Sequence, residues 1–167
     1  MKVKLAADLQ PDSILDGEGI RTVIWFQGCI HNCPGCHNPN THNIQDGIEF
    51  DLEEIKKKID SLEYQDGITL SGGDPFMQPE AVIEISKYAF EKGYNVWCYT
   101  GYVYEAILKN EKLARVLDYI DVLIDGPFIL SEKSLNCKYR GSKNQRIIDV
   151  KKSLEEKRVV EYYEVRG

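Results

Sequence analysis

The sequence contains no run of eighteen apolar residues, so it offers no membrane-spanning helix. It also has no surplus of positive charge. Twenty-one Lys and Arg face 27 Asp and Glu, a formal charge of −6, whereas a nucleic-acid binder needs excess cations to neutralise phosphate. No repeat, low-complexity tract or Pro/Ser-rich linker interrupts the 167 residues, a length that suits one domain spanning 1–167. The opening residues MKVKLAADLQPD hold an apolar stretch too short for a secretory signal, so a cytoplasmic protein is expected. Cysteine is sparse and odd in number, at five. Without a secretory signal that count makes a poor disulfide framework.

What is present is an alternation of β-prone and helix-prone segments. Residues 21–27 (RTVIWFQ) read as a strand running into Gly28 and the first cysteine. A helix is expected over 51–59, with Leu52, Ile55, Ile59 and Leu62 on one face and acids preceding bases as the helix dipole prefers. A second strand at 67–70 ends at Ser71-Gly72-Gly73-Asp74-Pro75. A helix then starts at Pro79 and stops at Gly93. Residues 94–99 form a third strand entering Thr100-Gly101, and a helical stretch follows over 103–118 with a break near Asn110. A fourth strand at 120–124 runs into Asp125-Gly126-Pro127-Phe128, and two last β-prone stretches, 145–150 and 159–165, flank a short charged helix. Strands separated by helices need crossovers, which predicts an α/β fold with a mostly parallel sheet. The chain is too short for a full barrel of roughly 250 residues, so a short, partial (β/α) barrel is expected. Each Gly-rich or Cys-rich motif follows the C-terminal end of a strand, where such folds build their sites.

Three of the cysteines crowd into eight residues as C-x3-C-x2-C: Cys29, Cys33 and Cys36. Thiolates so close on one loop suit a single soft metal centre. Structural zinc takes four protein ligands, and here His31, His37 or His42 would have to supply the fourth. Three cysteines also suit a four-iron cluster with one iron left open to another ligand. Cys98, inside a strand, reads as a buried thiol and Cys137, in a polar stretch, as an incidental one. Gly72 and Gly73 permit close backbone approach, with Asp74 adding a carboxylate acceptor.

Six segments carry a resemblance: DGEGIR at 16–21, GCIHNCPGCHNP at 28–39, SGGDP at 71–75, WCYTGY at 97–102, DVLIDGPF at 121–128 and RGSKNQRIIDV at 140–150. Through them the chain resembles the radical S-adenosylmethionine superfamily, and within it the glycyl-radical activases of anaerobic ribonucleoside-triphosphate reductase. The resemblance implies a [4Fe-4S] cluster on Cys29, Cys33 and Cys36, with S-adenosyl-L-methionine chelated to the open iron. One electron through the cluster then cleaves the cofactor to methionine and a 5′-deoxyadenosyl radical, which takes a hydrogen atom from a glycine of the reductase's large subunit. The cofactors carry that chemistry, and no catalytic side chain is expected beyond them. Gly35, Cys36 and His37 are expected beside the methionine moiety, His37 standing where the superfamily often has an aromatic residue. Gly72, Gly73 and Asp74 would receive the cofactor's ammonium, and Thr100 and Asp125 would bind its ribose, carboxylate or adenine. An electron donor such as flavodoxin or ferredoxin is implied as a second partner.

Other readings remain open. DGEGIR with GC…CHNP also resembles pyruvate formate-lyase activating enzyme, although those chains are longer. Deazapurine synthases share small radical frameworks but leave RGSKNQR unexplained. A zinc-binding adaptor without catalysis is the reading from a different class.

Overall fold

The computed structural model describes residues 1–36 and 38–162. Among the described residues eight strands form one open sheet: β1 (Lys2–Leu5), β2 (Gln10–Ser13), β3 (Arg21–Phe26), β4 (Ile48–Asp51), β5 (Gly67–Gly72), β6 (Asn95–Tyr99), β7 (Val122–Asp125) and β8 (Arg146–Asp149). Their order is β4-β1-β3-β5-β6-β7-β8, with β2 sharing the outer edge of β3 beside β1. The centre, β3-β5-β6-β7, is parallel, and the flanking pairs are antiparallel. The end strands β4 and β8 do not pair with each other, so the barrel is partial, as its length requires.

Among the described residues four α-helices connect the strands, α1 (Leu52–Asp60), α2 (Pro79–Glu91), α3 (Tyr104–Leu108) and α4 (Glu111–Ala114), and α5 (Val150–Glu156) follows β8. Asp51 caps α1 by accepting from the Glu53 N–H at 3.2 Å, while Glu54 accepts from the Asp51 N–H at 3.3 Å. Asn110 interrupts the 103–118 segment because its side chain accepts from the Lys112 and Leu113 amides and so starts a new helix, α4.

The alternation of side chains along each strand divides the core in two. On one face Ile24, Phe26, Ile68, Leu70, Val96 and Cys98 pack under the helices against Ile55, Ile59, Val82 and Ile85. On the other, concave face Trp97, Val122, Ile124 and Ile147 form a smaller cluster with Tyr99, Tyr139 and Tyr162.

The concave face also holds Arg21, 1% exposed. Its guanidinium donates to Thr69 Oγ1 at 2.8 Å, Glu18 O at 2.9 Å, Ile68 O at 3.0 Å and Asn95 Oδ1 at 2.6 Å, and lies 5.3 Å from the Trp97 ring centroid. Burial pushes its pKa down to about 10. Thr69 Oγ1 in turn donates to Asp16 O at 2.6 Å. The DGEGIR segment is thereby sewn across β3, β5 and β6, a role its sequence does not announce.

Three strands of four residues each, β1, β2 and β4, were not expected. The stretch expected at 159–165 continues the sheet as far as it is described: Glu161 bridges Ile148, and the Tyr162 N–H donates to Ile147 O at 2.8 Å. Residues 163–165 lie outside the described residues.

Candidate functional site

Polar loops leave the C-terminal ends of β3, β5, β6 and β7 around one open cleft of about 800 Å³, within the range of small-ligand sites. Cys29, Cys33 and Cys36 line it together with Ser71, Gly72, Gly73, Thr100 and Gly101. The sequence motifs that seemed separate therefore converge. Trp25 and Tyr99, on the concave face, give the cleft an aromatic wall.

The cysteine loop is anchored at both ends by main-chain bonds. The Gly28 N–H donates to Thr41 O at 2.6 Å, the Cys29 N–H to His42 O at 3.0 Å, and the Asp74 N–H to Gly28 O at 2.7 Å. Buried Gln27 extends the hold, donating from Nε2 to Asn40 O at 3.0 Å and Asn43 O at 2.7 Å. Gln78 adds Nε2 bonds to Gln27 O at 3.0 Å and Lys4 O at 2.9 Å. Neither glutamine stands out in sequence, because a polar side chain that ties main chain to main chain has no motif.

The glycines are required by close approach. Gly72 has φ +107°, and a Cβ there would lie 2.3 Å from Phe26 O. At Gly73 a Cβ would lie 2.4 Å from Gly28 O and 2.7 Å from Thr41 O. These two residues thus wedge the end of β5 directly against the main chain that bears the cysteines.

The three thiols are free of disulfides and partly exposed. Burial pushes the Cys29 thiol up, while hydrogen bonds from the His31 and Asn32 amides lower it. The Asn38 N–H donates to Cys36 Sγ at 3.4 Å, and His42 Nε2 lies 3.4 Å from the same sulfur. Amides directed at sulfur are what a thiolate-held iron–sulfur cluster uses to tune its potential. Donor type, number and shared cleft all fit such a cluster. Among the described residues the side chains are not gathered closely enough to hold a single metal ion, so the fit rests on the donor set.

Of the other residues singled out in sequence, Gly35 is in the loop with φ +75°, beside Leu130 and Phe128. Thr100 lines the cleft, although its hydroxyl donates inward to Asp74 at 2.9 Å. His37 lies outside the described residues. Two carboxylates expected at the cofactor, Asp74 and Asp125, are held by partners within the protein. Asp74 is 0% exposed and enclosed by donors from the protein itself. Asp125 is 1% exposed and does not line the cleft. It accepts from the Tyr104 N–H at 2.8 Å and from Arg146 at 2.6 and 3.1 Å, and Arg146 also holds Glu105 at 2.6 Å. The paired carboxylates keep the Arg146 guanidinium firmly charged and hold Glu105 below the usual carboxylate range.

Asp125→Ala is therefore expected to act on stability. Leaving Arg146 without its buried partner should cost about 3 kcal/mol, the low end for breaking a buried pair because Glu105 and water remain to it. Denaturant titration measures this loss, and iron binding by the folded fraction should be unchanged.

Cys98 is fully buried, as its strand position suggested. Cys137, in contrast, lines the cleft. It belongs to an overhanging segment, residues 130–146, that lines the cleft from Leu135 to Gly141 and includes the RGSKNQR stretch.

Residues 15–148 match the family model described as a 4Fe-4S single cluster domain. The anaerobic ribonucleoside-triphosphate reductase-activating protein of Enterobacteria phage T4 is 38% identical over 149 residues, 83% of this chain and 90% of that protein. The protein of the same name from Escherichia coli K12 is 35% identical over 144 residues, 81% of this chain and 92% of its own length. A pyruvate formate-lyase-activating enzyme from Clostridium pasteurianum is 43% identical over 122 residues, 68% of this chain and 51% of that enzyme. The crystal structure of QueE from Escherichia coli overlays 60% of this chain and 53% of that one, with a TM-score of 0.53 at 13% identity, a likeness of fold alone. With the family model spanning most of its length and the two reductase-activating relatives matched over 90 and 92% of theirs, the chain belongs to the 4Fe-4S single cluster domain family, among the anaerobic ribonucleoside-triphosphate reductase-activating proteins.

Proposed function

We propose that this chain activates anaerobic ribonucleoside-triphosphate reductase by installing a glycyl radical, using a [4Fe-4S] cluster on Cys29, Cys33 and Cys36 and S-adenosyl-L-methionine bound in the adjoining cleft. The observation that carries this reading is the meeting of three free thiols with the Ser71-Gly72-Gly73 backbone in one cleft. Held by Cys29, Cys33 and Cys36 and reduced by an external one-electron donor, a cluster would supply the electron for reductive C–S cleavage of the cofactor, and the resulting 5′-deoxyadenosyl group would take up the hydrogen atom lost by the reductase glycine.

The chain's own residues do the holding. Gly35 and Cys36 flank the position of the methionine moiety. The main chain at Gly72 and Gly73, which carry no side chains, supplies carbonyl acceptors for its ammonium. Thr100, just after β6, lines the same cleft, which supports a contact with the cofactor's polar groups. Trp25 and Tyr99 exclude water from the apolar side of the cleft. That shielding matters because a primary carbon radical attacks whatever hydrogen it meets.

The overhanging segment 130–146 fits the approach of the partner. Lys133, Lys138, Arg140, Lys143 and Arg146 oppose one acid, Glu132, in a chain of net charge −6. Lys133 bridges Ser142 and the Lys143 N–H donates to Glu132 O at 2.9 Å, so a small hairpin presents these cations. Lys133, Lys138 and Lys143 form no ion pair among the described residues, and Leu135 at its tip is 94% exposed. Charge of this kind steers association and is screened by salt. The double variant Lys133→Glu/Lys143→Glu should weaken association with the reductase about tenfold or more at low salt and flatten its salt dependence, following general rim-charge behaviour. Deoxyadenosine release without the reductase should be unchanged. Biolayer interferometry at two ionic strengths makes the comparison.

The function itself is tested by mixing reduced, reconstituted protein with S-adenosyl-L-methionine and the anaerobic reductase under argon. A glycyl radical doublet by electron paramagnetic resonance is expected on the reductase. Deoxyadenosine without that doublet, and with the doublet forming instead on pyruvate formate-lyase, would reassign the target.

A further inference from the structure

Asp74 follows the two glycines that line the cleft, yet its own carboxylate is turned away from it. Oδ1 accepts from the Phe76 N–H at 2.9 Å. Oδ2 meets the Thr100 hydroxyl at 2.9 Å, the Gly101 N–H at 2.9 Å and His31 Nε2 at 2.6 Å. A carboxylate accepts only, with about four acceptor positions, so His31 is the donor and the group is saturated by the protein. The donors come from three segments: the turn after β5, the loop after β6, and the three residues between Cys29 and Cys33.

His31 is seated from other sides as well. Its ring meets that of Tyr102 edge-on at 4.7 Å between centroids. A Cβ at position 101 would lie 2.5 Å from His31 Cδ2, so Gly101 is the residue that leaves room for the imidazole. Glycine, aromatic edge and carboxylate thus form a socket for one side chain in the middle of the cysteine loop.

We propose that Asp74 is a positioning residue, not a ligand of S-adenosyl-L-methionine: through His31 it fixes the loop between Cys29 and Cys33, and its buried charge holds down the cluster's reduction potential. This rests on the reading of Cys29, Cys33 and Cys36 as cluster ligands. Adding an electron beside a buried negative charge is unfavourable, and the local dielectric screens it weakly. Hydrogen bonds that orient ligand-bearing segments typically change metal retention 10–100-fold when removed.

The test compares Asp74→Asn, His31→Phe and His31→Gln with the unaltered chain after anaerobic reconstitution. Three quantities are read: iron loss to a chelator, midpoint potential by paramagnetic resonance-monitored titration, and the dissociation constant of S-adenosyl-L-methionine by equilibrium dialysis. Asp74→Asn should shift the midpoint to more positive values while cofactor affinity stays within about twofold. His31→Phe should lose iron about tenfold faster, within the range for such outer partners, and His31→Gln, which keeps a donor, should recover most of the difference. Tenfold weaker cofactor binding in Asp74→Asn at an unmoved potential would make Asp74 a ligand and overturn the proposal. If Asp74→Asn does not fold, an unchanged iron-loss rate in His31→Phe overturns it equally. An unaltered chain that takes up no iron fails at the earlier step, the cysteine assignment.

Discussion

Cys33→Ala is expected to leave the reconstituted protein colourless and without deoxyadenosine release, and Cys29→Ala and Cys36→Ala should behave alike. Each removes one of the three thiols that share the cleft, and a cluster that already leaves one iron open to another ligand has no spare protein donor. The two cysteines outside the loop separate ligand loss from general damage. Cys98 is fully buried under the helices, where burial pushes its thiol well up and keeps it inert. Cys98→Ala should keep its colour at a cost of about 1 kcal/mol for a small core truncation. Cys137→Ala is the stricter control, because Cys137 lines the same cleft. Its retention of iron would show that membership of the C-x3-C-x2-C loop, and not mere proximity, selects the ligands. Absorbance spectra and iron content of the five variants decide the matter.

Gly73→Val should produce the second large effect, for a reason different from simple crowding of the cofactor. The added side chain would be directed at Gly28 O and Thr41 O, 2.4 and 2.7 Å from its Cβ. Both are main-chain atoms at the anchor of the cysteine loop, and neither can rotate away. Forcing them apart should cost ~3 kcal/mol by overpacking and lift the loop from β5, breaking the Asp74 N–H to Gly28 O bond of 2.7 Å. The expected outcome is a lowered melting temperature together with poor iron uptake. A protein of unchanged stability that holds iron normally and only binds S-adenosyl-L-methionine weakly would place the side chain in the cleft instead.

How much of this was legible in the residues follows from what kinds of interaction write a pattern. The parallel centre was readable, because β3, β5, β6 and β7 are β-prone runs separated by helices with clear apolar faces and caps. The break at Asn110 was readable because a capping side chain has a chemical signature. The strands β1 and β2 were not, since QPDS has no β-prone residue and KVKL only Val3. Within the site, the cysteine spacing and the paired glycines marked segments that meet in one cleft. The surroundings of the carboxylates were not legible, because a sequence shows that an acid is present without showing which donors enclose it. Asp74 is enclosed by His31, Thr100, Gly101 and Phe76, and Asp125 by Arg146 and Tyr104. Arg21, Gln27 and Gln78 were silent for the same reason: each bonds mainly to main-chain oxygens of distant segments.

The most direct measurement is metal and sulfide analysis of the protein purified and reconstituted under anaerobic conditions, followed by addition of dithionite and S-adenosyl-L-methionine. About four irons and four sulfides per chain, with deoxyadenosine appearing only after reduction, is the result expected of a three-cysteine cluster with an open iron. One zinc per chain with no iron, unchanged after reconstitution, would contradict it and leave the cysteine loop as a structural knuckle.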